Sequence, residues 1–113
     1  MRSLLRAKIH KATVTQADVS YVGSITIDKD LIEKVDIWPY EKVLVVSNTS
    51  GHRLETYVIE GEAGSGVVCM NGAAAHLIKK DEEIIIMAFE QSNVPLESRA
   101  ILVDKKNHFV KHL

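Results

Sequence analysis

The sequence predicts a mainly β protein, folded as a small closed β-barrel with short helices, and three observations carry that prediction. Apolar residues make up 46% of the 113 residues while aromatics make up only 5%. The core must therefore be built from Val, Ile and Leu, whose branched side chains suit a pleated, half-buried surface. These residues fall in short runs, several with a period near two, which is the strand repeat rather than the helical one. Helix signals between the runs are few, and closing many short strands into a barrel removes exposed edges. The length gives a single domain, residues 1–113, with a feasible but small core.

The elements follow in chain order. Leu5, Ala7 and Ile9 alternate, then Ala12 and Val14 continue in shifted phase, so a bulge is expected near His10. Tyr21-Val22-Gly23-Ser24-Ile25 reads as a turn entering a β-branched stretch. Asp28 caps a helix running through Leu31, Ile32 and Val35, which ends before Pro39. Strands from Glu41 to Asn48 and from His52 to Glu60 flank the Thr49-Ser50-Gly51 turn and form a hairpin. Gly61, Gly64 and Gly66 read as a mobile loop, because they follow no βαβ pattern and lack dinucleotide-fingerprint spacing. Gly66 to Met70 is a short strand entering Asn71-Gly72, a dipeptide that by itself signals a tight hairpin. Ala73 to His76 forms a single helical turn and Val94 to Ser98 another. Glu82 to Phe89, with Ile84-Ile85-Ile86, reads as a fully buried strand, and Arg99 to Val110 as a final hairpin.

Composition narrows the function classes. Fourteen Lys and Arg against 15 Asp and Glu leave a net charge of −1, without the basic excess that phosphate neutralisation needs, so no nucleic-acid partner is expected. No apolar run approaches the ~20 residues that span a bilayer, and no signal segment is evident, so a cytoplasmic setting without membrane contact is expected. The single cysteine, Cys69, excludes an internal disulfide and reads as buried filler. His10, His52, His76, His108 and His112 show no ligand spacing, so no metal is expected, and His10 and His76 are given structural roles.

One short motif has unusual chemistry available to it. A serine hydroxyl can attack the carbonyl of the residue before it, moving that acyl group from nitrogen to oxygen. Gly23 leaves the carbonyl in front of Ser24 sterically open and tolerates backbone strain. The resulting ester can break by β-elimination to a dehydroalanine, which hydrolyses to a pyruvoyl group. In isolation Gly23-Ser24 is more simply a turn, Arg53 and Lys8 solvated charges, and Tyr57 a surface aromatic.

The combination changes that reading. Lys8-Ile9-His10, Tyr21-x-Gly23-Ser24, Arg53-x-x-Thr56-Tyr57 and Asn71-Gly72-Ala73-Ala74-Ala75-His76 occur together, in this order. The chain thereby resembles the aspartate 1-decarboxylase family from about Lys8 to Phe89. The resemblance implies a six-stranded double-psi β-barrel and a homotetramer with active sites between subunits. It also implies self-cleavage at Gly23-Ser24, giving a β chain of residues 1–23 and an α chain of residues 24–113. Its cofactor would be a pyruvoyl group derived from Ser24, with no metal and no pyridoxal phosphate. The activity implied is decarboxylation of L-aspartate to β-alanine through a Schiff base, supplying pantothenate and coenzyme A synthesis. Thr56 would assist self-cleavage at the Gly23 carbonyl oxygen, Arg53 would clamp a carboxylate and Lys8 would hold substrate charge. Tyr57 would be the proton donor, since a phenol of pKa roughly 10 is protonated at neutral pH. Asn71, Gly72, Ala73 and Ala74 would bind substrate or intermediate.

Some positions depart from the family pattern. Val22 stands where an acid is common, Lys80-Asp81-Glu82-Glu83 replaces a Gly-Asp turn, and Val46-Ser47 replaces an aromatic. Some relatives use a maturation factor, so one is a candidate partner. Strand alternation puts Arg53 and Tyr57 on one side of their strand and Thr56 on the other; an inter-subunit site would resolve that. Two other readings remain open at this stage: a non-catalytic β-barrel binding or regulatory module, and a pyruvoyl decarboxylase of a different amino acid.

Overall fold

The computed structural model describes all 113 residues. The chain forms β1 (Arg2–Thr13), β2 (Gln16–Asp18), β3 (Ser24–Asp28), α1 (Lys29–Val35), β4 (Lys42–Ser47) and β5 (Arg53–Gly61). These are followed by β6 (Val68–Asn71), α2 (Ala74–Leu77), β7 (Glu83–Ser92), β8 (Arg99–Val103) and β9 (Phe109–His112). The hydrogen-bonded order is β2-β6-β3-β5-β4-β7-β1-β8-β9. Only Val14 and Thr15 separate β1 from β2, yet the two lie far apart in that order, so one stretch of chain borders both sides of the sheet. Thr15 N–H and Oγ1 both donate to Val68 O, at 2.8 and 3.0 Å, and fasten this crossing. The architecture is mainly β and consistent with a small barrel. With β2 counted as the continuation of β1, six strands run from Arg2 to Ser92 and the β8–β9 hairpin is added beside β1.

Why these residues form these elements is clearest in β1. Ala7, Ile9, Ala12 and Val14 are all fully buried. Their phase shift coincides with a register irregularity against β7 between Ile9 and Ala12, where Lys11 takes φ 65°. The extra residue lets both halves of the strand face the same core. Leu31, Ile32 and Val35 of α1 join that core. Asp36 closes the helix in the left-handed region at φ 58°. The β4–β5 hairpin and the β8–β9 hairpin form as the sequence predicts.

Three expectations are corrected. β7 is not buried on both faces: Ile84, Ile86 and Ala88 are inaccessible, while Ile85 and Met87 are half-buried and Phe89 is 44% exposed. Its neighbours β1 and β4 pair along its edges, but only one face meets the core. Residues 94–98 form no helix; so short a stretch cannot offset nucleation, and Ser92 Oγ instead holds the chain through Val94 N–H and Val94 O. Nor is the glycine loop free. The buried Asp28 carboxylate accepts from Gly64 N–H at 3.0 Å and Gly66 N–H at 2.8 Å, besides capping α1 through Asp30 N–H at 2.8 Å. Both glycines sit at positive φ, 78° and 71°, which side-chain-bearing residues rarely adopt.

Asp28→Ala therefore strands a buried N–H and removes a helix cap together. We expect about 2–4 kcal/mol of destabilisation, read as a lower denaturant midpoint with little change in slope. A second prediction concerns Glu82, 8% exposed at the approach to β7. Burial favours its neutral form, but hydrogen bonds from Ser47 Oγ (2.6 Å) and Lys79 N–H (2.6 Å) outweigh burial and lower its pKa. A carboxylate with a lowered folded-state pKa stabilises above its ordinary range, and that contribution is lost as pH falls through the folded value. Glu82→Gln should be less stable than the parent near neutrality, and the gap should close on acidification below about pH 4. Melting curves across pH check this; a constant gap would exclude the linkage.

Candidate active site

The site grows out of the pairing between β3 and β6. These strands are antiparallel with Ser24 opposite Asn71 and Thr26 opposite Cys69. Ser24 and Thr26 are two apart, so both hydroxyls project on one face toward the Asn71 side chain. Asn71 Nδ2 donates to Ser24 Oγ at 2.9 Å and to Thr26 Oγ1 at 2.9 Å. Its Oδ1 accepts from the Cys69 thiol at 3.1 Å. Ser24 Oγ in turn donates to Val22 O at 2.9 Å. Ser24 is fully buried and Asn71 2% exposed, so the serine rotamer is held from two sides, away from water.

Gly23 and Asn71 line a pocket of about 260 Å³ with Leu54, Glu55, Thr56, Ala73, Ala74 and Leu77. Space around Gly23 is open, as expected: a Cβ added there would meet nothing within 4 Å. Its backbone is not in the left-handed region, however, so openness rather than strain is what glycine contributes here. The turn before it is organised by Asp18. The Asp18 carboxylate accepts from Ser20 Oγ and Ser20 N–H, which lowers its pKa. Asp18 O accepts from Gly72 N–H at 2.7 Å.

Gly72 follows Asn71 at the end of β6. It does not line the pocket, and its N–H is already occupied by Asp18 O. At φ 69° it ends β6 and turns the chain into α2 instead of closing a hairpin. A Cβ there would lie 2.7 Å from Gly23 Cα and 2.9 Å from Gly23 N. Gly72 is thus the backing on which the Gly23 backbone rests. At the end of α2, His52 Nδ1 contacts Leu77 O at 2.9 Å.

Of the remaining predicted residues, Arg53, Tyr57 and Lys8 are not among those that line this pocket. Along β5, Leu54, Thr56 and Val58 turn inward while Arg53, Glu55 and Tyr57 turn outward. Arg53 is exposed, and Tyr57 stacks on Tyr40 with ring centroids 6.3 Å apart. Lys8 lies on β1 opposite Met87 and Ala100, with β7 and β8 as its neighbours rather than β3 or β6. Beside it, burial and the charges of Lys8 and Lys11 lower the pKa of His10, opposed by Glu83, and His10 Nδ1 is buried without a partner. Thr56 shares the pocket with Gly23, but no hydrogen bond joins its hydroxyl to that residue. Sequence reasoning missed Thr26 and underrated Cys69. The two-residue spacings Ser24-x-Thr26 and Cys69-x-Asn71 were visible, but their meeting depends on the β3–β6 register. Burial, with the charge of Asp18, raises the Cys69 pKa and keeps the thiol protonated as a donor.

Fold and site together define a small, mainly β protein with a pocket lined by Gly23 and Asn71 beside the buried Ser24 hydroxyl. The chain belongs to the aspartate decarboxylase family, whose model matches residues 1–110. It is 52% identical over 110 residues to an aspartate 1-decarboxylase of Neisseria meningitidis, covering 94% of this chain and 87% of that protein. It is 48% identical over 116 residues to the aspartate 1-decarboxylases of Bacillus cereus and Bacillus thuringiensis, covering 99% of this chain and 91% of each relative.

Proposed function

We propose that this protein decarboxylates L-aspartate to β-alanine and CO₂ in the cytoplasm, for pantothenate and coenzyme A synthesis, after self-cleavage between Gly23 and Ser24. The observation that carries this reading is the buried Ser24 hydroxyl, pinned by Asn71 and Val22 beside an open glycine in a chain of this family. Cleavage yields residues 1–23 and 24–113, with the second fragment beginning at the modified Ser24. The surroundings fit a small ketone-bearing group at that position: the residue is buried, Asn71 supplies a donor, and an open pocket adjoins it. A pyruvoyl group there supplies a ketone for the substrate amine and a sink for the electrons left by departing CO₂.

The chain's own side chains do the rest. Thr56, across the pocket from Gly23, donates to the Gly23 carbonyl oxygen as negative charge develops there during self-cleavage. Ala73 and Ala74 wall the pocket and, with Asn71, limit the substrate to a small one. Arg53 presents a planar fork to a carboxylate, Lys8 holds substrate charge, and the Tyr57 hydroxyl delivers a proton to the carbon that has lost CO₂. Arg53, Tyr57 and Lys8 lie outside the pocket of a single chain, which supports an active site shared between subunits of a homotetramer. Exposed apolar residues at Val19, Tyr21, Val22, Trp38 and Tyr40 offer surface for such contacts. A maturation factor is a further candidate partner.

Intact-mass analysis of purified protein, with β-alanine formation from L-aspartate followed in parallel, tests this reading. Two fragments cut before residue 24 and release of β-alanine are expected. A persistently uncut chain would favour the non-catalytic barrel, and turnover of another amino acid instead of aspartate would move the substrate assignment.

A further inference from the structure

The Asn71 carboxamide meets three other side chains, Ser24, Thr26 and Cys69, through only two atoms, and its orientation has to be chosen. An amide can present either its nitrogen or its oxygen to Ser24, and the two differ by a half-turn about one bond. Ser24 Oγ commits its proton to Val22 O, so toward Asn71 it offers only lone pairs. Thr26 Oγ1 lies at the same 2.9 Å from Nδ2 and takes the second N–H. On the other side the Cys69 thiol is a donor, 3.1 Å from Oδ1. The flipped amide would turn its N–H₂ toward the thiol and set its oxygen against the lone pairs of Ser24 Oγ, whose proton is already given to Val22 O.

Resting on the self-cleavage reading above, we propose that Thr26 and Cys69 are positioning residues for that reaction, holding Asn71 with its nitrogen on Ser24 Oγ through to bond breakage. In the acyl shift, the Gly23 C–N bond breaks as a C–Oγ bond forms, and the Ser24 hydroxyl proton passes to the freed Ser24 nitrogen. Oγ then loses its contact with Val22 O but keeps a lone pair for Asn71. In the elimination, a water-borne base takes the Ser24 Cα proton and the Cβ–Oγ bond breaks. Its electron pair leaves on Oγ, now an oxygen of the Gly23 carboxylate. Water then hydrolyses the dehydroalanine, with release of ammonia, to the pyruvoyl group. Negative charge thus develops on the very atom that Asn71 Nδ2 faces, so a donor held there lowers the barrier to elimination more than the barrier to attack.

The test uses full chains carrying Thr26→Val, Thr26→Ser, Cys69→Ala and Cys69→Ser, each followed by intact mass during maturation. Hydroxylamine quenching adds a second readout. It cuts the ester to leave a free Ser24 amine, which mass distinguishes from the pyruvoyl end. Thr26→Val and Cys69→Ala should mature roughly tenfold more slowly and accumulate a larger hydroxylamine-sensitive fraction. Thr26→Ser, which keeps the hydroxyl, and Cys69→Ser, which puts a hydroxyl donor in place of the thiol, should restore both values. A purely structural role predicts slower maturation with an unchanged ester fraction, and that result overturns the proposal. So does wild-type maturation in Thr26→Val and Cys69→Ala. If either of those chains fails to fold, the conservative pair decides: an ester fraction raised by Thr26→Ser or Cys69→Ser also overturns it. An uncut parent chain would instead remove the self-cleavage reading itself.

Discussion

Ser24→Ala is expected to leave one uncut chain of 113 residues and to reduce β-alanine formation by roughly 10³-fold or more, the scale of losing a covalent-catalysis group. Alanine has no oxygen to receive the Gly23 acyl group, so neither the ester nor the ketone that follows from it can form. The fold should survive the change. Ser24 is fully buried, and losing its hydroxyl leaves Val22 O without that donor and Asn71 Nδ2 with only Thr26. That costs about 1–2 kcal/mol, well within the stability of an ordinary domain. A denaturing gel and an assay of aspartate turnover check the two halves separately. Cleavage of the variant, or β-alanine production by it, would remove Ser24 from its role.

Gly72→Ala is expected to have the second largest effect, although Gly72 lines no pocket. At φ 69° any L-residue is strained by ~1–2 kcal/mol. The new Cβ would meet Gly23 Cα at 2.7 Å, Gly23 N at 2.9 Å and Tyr21 O at 3.0 Å, all backbone atoms that cannot swing aside. Overpacking of this kind typically adds ~1–3 kcal/mol, so a total loss of about 2–5 kcal/mol is expected in a melting experiment. Relief requires the Gly23 backbone to move by several tenths of an ångström. Displacing a reacting carbonyl from its nucleophile on that scale should slow self-cleavage by roughly 10- to 100-fold. A maturation time course below the variant's melting temperature measures it. Parent-like cleavage together with parent-like stability would show that Gly72 does not back the Gly23 peptide.

Much of the strand pattern was legible because burial and alternation are local properties. The phase shift between Ile9 and Ala12 was readable, since a bulge needed to keep both halves facing inward leaves that mark. The Asp28 cap of α1 was readable for the same reason: the cap and the helix face it starts are adjacent in sequence. The glycine loop was misread because the Asp28 carboxylate that ties it down lies 36 to 38 residues away. Composition records the flexibility of glycine but not its distant partner. The segment 94–98 and the outer face of β7 were misread for a related reason, since length and apolarity do not reveal which side of a strand has a neighbour.

For the site, the sequence by itself determined the chemistry on offer: a serine after a glycine, an arginine, a phenol, and the order of motifs that ties the chain to its family. Alternation along β5 by itself puts Arg53 and Tyr57 on the side of the strand away from Thr56. Only the tertiary structure decided which groups meet. The β3–β6 register places Asn71, Thr26 and Cys69 around Ser24, and the turn at Gly72 seats one backbone against another. Register and close backbone approach are set by long-range pairing between strands, and in a strand a slip of one residue would turn every one of these side chains to the opposite face.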